Sequence, residues 1–174
     1  MIDYDLTAVR ALVFDVDGVL STDVMDLSET GDPIRTVNVK DGYSLQLAVK
    51  KGLKIGIITG ARVQSLRNRF LALGIPTEDI YIASKVKIND YHDFLSRNGI
   101  EKSQVLYMGD DIPDYEIMKD CGLPCCPFDA CQEIQSLAKY ISPYAGGRGC
   151  VRDVVEQVMK VQGLWLSDRQ AFGW

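Results

Sequence analysis

Leu12-Val13-Phe14-Asp15-Val16-Asp17-Gly18-Val19 is the stretch on which the fold turns. An apolar run with a β-branched residue reads as a buried strand, and it stops at two carboxylates one residue apart. Alternation along a strand would send Asp15 and Asp17 to the same side, and Gly18 lets the chain turn away beside them. Two carboxylates held so close repel, so a cation is required near them. A hard divalent ion such as Mg2+, which takes oxygen ligands, meets that need. An Asp pair before Gly is equally an ordinary surface turn at a strand end, and the pair alone fits both readings.

Downstream, strand-like runs alternate with helical patterns. Leu53–Ile58 is a second strand ending at Thr59-Gly60, Ile80–Ile82 a short third, and Gln104–Met108 a fourth ending at Gly109-Asp110-Asp111. Leu123–Cys126 and Tyr140–Ile141 supply further short strands. Helical periodicity places helices over Tyr43–Lys51, with Gly52 to stop it, and over a segment where Val63, Leu66, Phe70 and Leu73 share one face and Arg62 and Arg69 another. Another helix spans about 86–97, with Ile88, Tyr91 and Leu95 inward and Lys87 in its first turn. Three more run through Ile117 and Met118, over Cys131–Lys139, and along Val151, Val154, Val155, Val158 and Val161. Between the first two strands, Val24–Ser28 and Ile34–Val39 flank a turn, which makes a β-hairpin over about 23–39. A lone two-stranded ribbon is marginal in water, so a second copy of the chain is the simplest partner for it. The tail, about 163–174, shows no clear period and is expected to be mobile.

The expected architecture is therefore α/β: a three-layer Rossmann-like parallel sheet with helices on both faces, plus a protruding β-hairpin and no cap domain, in one domain over residues 1–174. In such sheets ligands bind beyond the carboxyl ends of the strands. Asp15/Asp17, Thr59 and Asp110/Asp111 all stand at such ends, so one crevice gathers them from distant parts of the sequence.

A chain of 174 residues with 47% apolar and 25% charged residues can bury a full core. Its net charge of −5 argues against a nucleic-acid or anionic-membrane surface. No apolar run approaches the ~20 residues needed to span a bilayer. Met1-Ile2-Asp3-Tyr4-Asp5 lacks the basic flank and apolar core of a secretory leader, so the cytoplasm is the expected location. The five cysteines match no zinc spacing and read as buried free thiols. His92, the one histidine, reads as a packing or surface residue, which makes a histidine-assisted nucleophile improbable.

Carboxylates with Mg2+ attract a phosphate, Lys and Thr can hold its other oxygens, and a carboxylate can itself attack phosphorus. These parts suit in-line phosphoryl transfer. At these residues the chain resembles the haloacid dehalogenase superfamily of phosphatases: Asp15-Val16-Asp17-Gly18-Val19 is similar to its first motif and Thr59-Gly60 to its second. Lys87 is similar to the third, and Gly109-Asp110-Asp111-Ile112-Pro113-Asp114 to the fourth. The resemblance implies that Asp15 is the nucleophile and Asp17 the general acid/base. It further implies that Asp15, the Asp17 backbone carbonyl and Asp110 bind Mg2+. Asp111 and Asp114 would then support the ion and Lys87 from behind, while Thr59 and Lys87 hold the phosphoryl group.

A narrower resemblance runs through Asn38-Val39-Lys40-Asp41-Gly42-Tyr43, Arg69 and Ala145-Gly146-Gly147-Arg148-Gly149. These look like the cap-less family that dephosphorylates 3-deoxy-D-manno-octulosonate 8-phosphate in lipopolysaccharide precursor synthesis. That family forms homotetramers through the hairpin, with a neighbouring subunit closing each active site. The resemblance implies substrate contacts from Gly60, Asp41, Gly42, Arg69 and Arg148, although either arginine alone reads equally as a solvated surface charge. The octulosonate enzymes often carry Arg after the second-motif glycine, where this chain has Ala61. Sibling enzymes for nine-carbon sugar-acid 9-phosphates carry Glu and Lys where this chain has Ala61 and Ala72, which points to the eight-carbon substrate. Two rivals of another class are a phospho-accepting signalling receiver and a non-catalytic partner subunit. A receiver places its acceptor after a middle strand and its Lys last, unlike this order, and a non-catalytic relative need not keep every catalytic position.

Overall fold

The computed structural model describes residues 1–167 and 173. In chain order it contains β1 (Ala11–Phe14), β2 (Asp26–Leu27), β3 (Pro33–Ile34), α1 (Val39–Lys50), β4 (Lys54–Ile58), α2 (Gln64–Ala72) and β5 (Ile80–Tyr81). There follow α3 (Lys87–Asn98), β6 (Val105–Met108), α4 (Tyr115–Asp120), β7 (Leu123–Cys126), α5 (Gln132–Leu137), β8 (Tyr140–Ile141) and α6 (Cys150–Val161). Six strands form a parallel sheet in the order β5-β4-β1-β6-β7-β8, as the alternating pattern predicts. β1 lies inside it, with Phe14 paired to Ile57 on one side and Met108 on the other.

Period-two alternation sorts the strand side chains onto two faces. Leu12, Phe14, Ile55, Ile57, Leu106 and Met108 build one core with α1, α2 and α6. Ala11, Val13, Ile58, Val105 and Tyr107 build the other with α3, α4 and α5. Val151, Val154, Val155 and Val158 of α6 are buried, whereas Val161 at its end is exposed, and that helix packs along α1. None of the described helices is long and apolar enough to cross a membrane.

Three segments differ from the sequence-based expectation. The hairpin ladder holds only the pairs Asp26–Ile34 and Leu27–Pro33. Val39 belongs to α1 instead, because the Asn38 side chain caps that helix by accepting the N–H groups of Lys40 (2.9 Å) and Asp41 (3.3 Å). Asp41 and Gly42 thus lie in the first turn of α1, not ahead of it. Beyond α6, Leu164 and Trp165 pack on the core, with the Arg152 guanidinium 4.5 Å from the Trp165 ring centroid, so the expected mobile tail is anchored at its start. Its residues 168–172 and 174 lie outside the described residues.

All five cysteines are free; four are buried and Cys131 is half-buried. His92 is exposed, with Nε2 3.3 Å from Asp120 Oδ2, a surface position as expected.

Candidate active site

The carboxyl ends of β1, β4 and β6 open onto one cavity of about 690 Å3. It is lined by Asp15, Asp17, Thr59, Gly60, Lys87, Asp110 and Asp111, so the first-strand aspartates meet residues almost 100 positions away. β1 itself stops at Phe14, and Asp15 and Asp17 stand in the loop that follows, still facing the same space. Asp15 is held from both sides: its Oδ1 accepts the Val16 N–H at 2.7 Å, and its Oδ2 lies 2.7 Å from Lys87 Nζ.

Lys87, the first residue of α3, is buried and also bonds Asp114 Oδ1 at 2.8 Å. Asp114 is saturated with donors. Its Oδ1 accepts the Tyr107 hydroxyl at 2.6 Å as well, and its Oδ2 accepts the N–H groups of Asp110 (3.1 Å) and Asp111 (3.4 Å). The Asp111 side chain in turn accepts the Asp114 N–H, closing a reciprocal cap on the turn Ile112–Asp114.

Burial, followed by the charge on Asp114, pushes the Asp15 carboxyl up to about 7, while Lys87 pulls the other way. Burial, then the charges of Asp15 and Asp114, pushes Asp110 up to about 8. For Lys87, burial works against the charge, but Asp15 and Asp114 outweigh it and hold the ammonium form above its ordinary range. With all three carboxyls ionised, Asp15, Asp110 and Asp114 would carry more negative charge than Lys87 balances.

A hard cation fits that imbalance. Asp15, Asp110 and Asp114 each bring a carboxylate oxygen within 4.8 Å of the others. Asp110 Oδ1 is buried without a hydrogen-bond partner, a costly state that a ligand would relieve. Asp114, with both oxygens taken, is the least available of the three. An all-oxygen donor set suits Mg2+.

Not all the expected site residues converge here. Asp41 is fully buried and its Oδ1 accepts the Arg152 N–H at 2.7 Å, in the first turn of α6. Gly42 faces Arg69: a Cβ there would lie 2.4 Å from Arg69 Nη2, so the glycine makes room for that guanidinium across α1. Arg148 is exposed and lines a separate groove between the hairpin and α6. The glycines beside it press on the loop carrying Asp17. A Cβ on Gly146 would lie 2.0 Å from the Gly18 carbonyl oxygen, and the Gly147 N–H donates to Val19 O at 2.8 Å. Within one chain, then, Asp41, Gly42, Arg69 and Arg148 stand apart from the cavity.

The sequence did not single out Arg35 or Tyr107. Arg35, beyond β3, pairs with Asp17 and lines the cavity. Its one advance signal was the need for a cation beside the Asp pair, and the structure supplies one for each: Lys87 for Asp15 and Arg35 for Asp17. Tyr107 belongs to a strand that reads as plain core, and nothing local marks its hydroxyl.

Comparison with known proteins points to one family. Residues 76–152 match the haloacid dehalogenase-like hydrolase family. The 3-deoxy-D-manno-octulosonate 8-phosphate phosphatase of Escherichia coli strain K12 is 34% identical over 155 residues, 89% of this chain and 81% of that protein. The crystal structure of the Yersinia pestis phosphatase of the same name superposes with a TM-score of 0.86 at 32% identity, over 91% of this chain and 85% of that one. The Moraxella catarrhalis phosphatase of the same name, solved with magnesium, phosphate and a KDO molecule, gives a TM-score of 0.87 at 28% identity, over 97% and 95% of the two chains.

Proposed function

This chain belongs to the 3-deoxy-D-manno-octulosonate 8-phosphate phosphatase family of haloacid dehalogenase-like hydrolases, and on that premise we propose that it hydrolyses that sugar-acid phosphate with Mg2+. The observation that carries the reading is the union of Asp15, Asp17, Thr59, Lys87 and Asp110 around one cavity. In the proposed mechanism an Asp15 oxygen attacks phosphorus while the bond to the sugar oxygen breaks. Asp17 gives its proton to the departing alkoxide, then takes one from the water that cleaves the aspartyl-phosphate, returning Asp15 and releasing phosphate. Thr59 accepts the Ala61 N–H at 3.1 Å, which leaves its hydroxyl proton for a phosphoryl oxygen. Lys87 holds Asp15 in line and offers its remaining charge to the same group, while Asp111 and Asp114 keep Asp110 and Lys87 in place. Asp15, Asp110 and the Asp17 carbonyl would hold Mg2+, which when bound supplies charge neutralisation at the phosphoryl oxygens.

Ala61 lines the cavity, so no acidic side chain stands where the nine-carbon sibling enzymes carry one, and this favours the eight-carbon acid. Assembly through the hairpin into a homotetramer, with a neighbouring subunit closing each active site, is supported by the ladder of two pairs and by exposed Val24, Leu27, Ile34 and Val37. Five free thiols suit a reducing compartment such as the cytoplasm.

The test is a phosphate-release screen over sugar phosphates with Mg2+, on wild type and Asp15→Asn. Turnover should be strongest on the octulosonate phosphate and absent in the variant. Equal rates on unrelated monophosphates would overturn the substrate, and an active Asp15→Asn would overturn the mechanism. Sedimentation as a monomer at micromolar concentration would overturn the assembly.

A further inference from the structure

Asp17 does not meet the cavity as a free carboxylate. Arg35 donates Nε–H to its Oδ1 at 2.6 Å and Nη2–H to its Oδ2 at 2.7 Å. The arginine side chain is only 9% exposed. Two parallel bonds of this kind set the plane of a carboxylate as well as its distance, which a lysine cannot do. The arm that carries Arg35 is itself anchored. The Thr36 N–H donates to the Ser21 hydroxyl at 3.0 Å, and Ser21 forms a bridge with Asp17. A carboxylate offers about four lone-pair sites, and the fork takes two, leaving one free on each oxygen.

We propose that Arg35 is a positioning residue, which fixes the Asp17 carboxylate at the angle from which a free lone-pair site faces the leaving-group oxygen. The hairpin thereby takes part in proton transfer without touching the reacting atoms. The inference rests on the role given to Asp17 above. In that step the phosphorus–oxygen bond to the leaving group breaks, and the proton on Asp17 passes to the departing oxygen. How much the step matters depends on the leaving group: a sugar alkoxide departs only with a proton, whereas p-nitrophenolate departs as a stable anion.

The experiment measures Arg35→Met, Arg35→Lys and Asp17→Asn on two esters, the octulosonate 8-phosphate at steady state and p-nitrophenyl phosphate in its first turnover. For Arg35→Met we expect kcat on the sugar ester to fall at least about tenfold, with KM within about threefold. First-turnover release of p-nitrophenolate should stay within about twofold, which also reports that the variant folds. Arg35→Lys should fall between wild type and Arg35→Met, and Asp17→Asn should show the same ester-selective loss more steeply. Should Arg35→Met not fold, the ratio of the two esters is read from Arg35→Lys, which keeps the charge but not the fork. A parallel loss on both esters would make Arg35 a structural staple, and a change confined to KM would make it a substrate ligand; either overturns the proposal. The ratio needs only one alkyl and one aryl monophosphate that the wild type hydrolyses, so an unexpected sugar would overturn the substrate and leave this test standing.

Discussion

Gly18 and Asp110 lie so close that a methyl group on the glycine would sit 1.9 Å from Oδ2 of the aspartate. Gly18 also has φ +81°, a conformation that costs a residue with a Cβ about 1–2 kcal/mol. Gly18→Ala should therefore push the Asp110 carboxylate out of place while the sheet survives. A displacement near 1 Å at a reacting centre can cost on the order of 100-fold in rate. Steady-state kinetics should show that loss, alongside a drop in melting temperature of no more than roughly 10 °C. A variant with wild-type kcat would contradict it.

The raised carboxyls give a pH dependence with a definite sign. Asp15 and Asp110, at about 7 and about 8, keep their protons in the folded state to higher pH than in the unfolded chain. Metal-free protein should therefore lose stability as pH rises from about 4 to about 8. Mg2+ requires the ionised forms and offsets the repulsion between them. Thermal melts with and without Mg2+ should show a larger stabilisation near pH 8.5 than near pH 6, and equal shifts would count against this metal site.

Tyr107→Phe removes one donor from a fully buried carboxylate. Asp114 Oδ1 keeps Lys87 but loses the 2.6 Å hydroxyl bond. Losing a hydrogen bond to a charged group costs about 1.5–3 kcal/mol. Urea unfolding should show a loss of that size, and turnover should fall by less than for Lys87→Ala, which strips a cation from both Asp15 and Asp114.

Asp41 offers a titration away from the cavity. Burial is the chief cause that raises its carboxyl to about 6, against the Arg152 N–H and others that lower it. Its folded value exceeds the unfolded one, so the protonated form favours folding, and stability falls as pH climbs from about 4 through about 6. Asp41→Asn keeps an acceptor for the Arg152 N–H and carries no charge. Relative to wild type it should gain stability between about pH 4 and about pH 7.5, by at most about 3 kcal/mol. Parallel urea midpoints at the two pH values would refute this.

Much of the fold was legible because it is written locally. Leu12-Val13-Phe14 and Val105–Met108 are short apolar runs that end in acidic turns, and such a run carries its own signal. Position in the sheet then follows from the alternation of strands and helices. The first turn of α1 was misplaced because Gly42 weakens a helical pattern, whereas Asn38 ahead of it carried the N-cap signal. Arg35 was illegible for a different reason. Its value depends on how the hairpin folds back onto Asp17, 18 residues earlier, and no local pattern records that approach. Tyr107 was hidden because an aromatic residue in a core strand looks the same whether or not its hydroxyl finds a carboxylate.

The pairing of α6 with α1 has a consequence for synthesis. One of the two cores is completed only by Val151, Val154, Val155 and Val158, and β1 waits for Val105–Met108 before it has a neighbour on both sides. A nascent chain that has left the ribosome only to about residue 100 would expose the apolar side of α1 and an unpaired strand edge, and it would do so for several seconds at ordinary elongation rates. Closure of the native structure is thus a late event made of non-local contacts, which fold slowly. Yield in a cell should accordingly rise with chaperone supply and with slower, cooler expression.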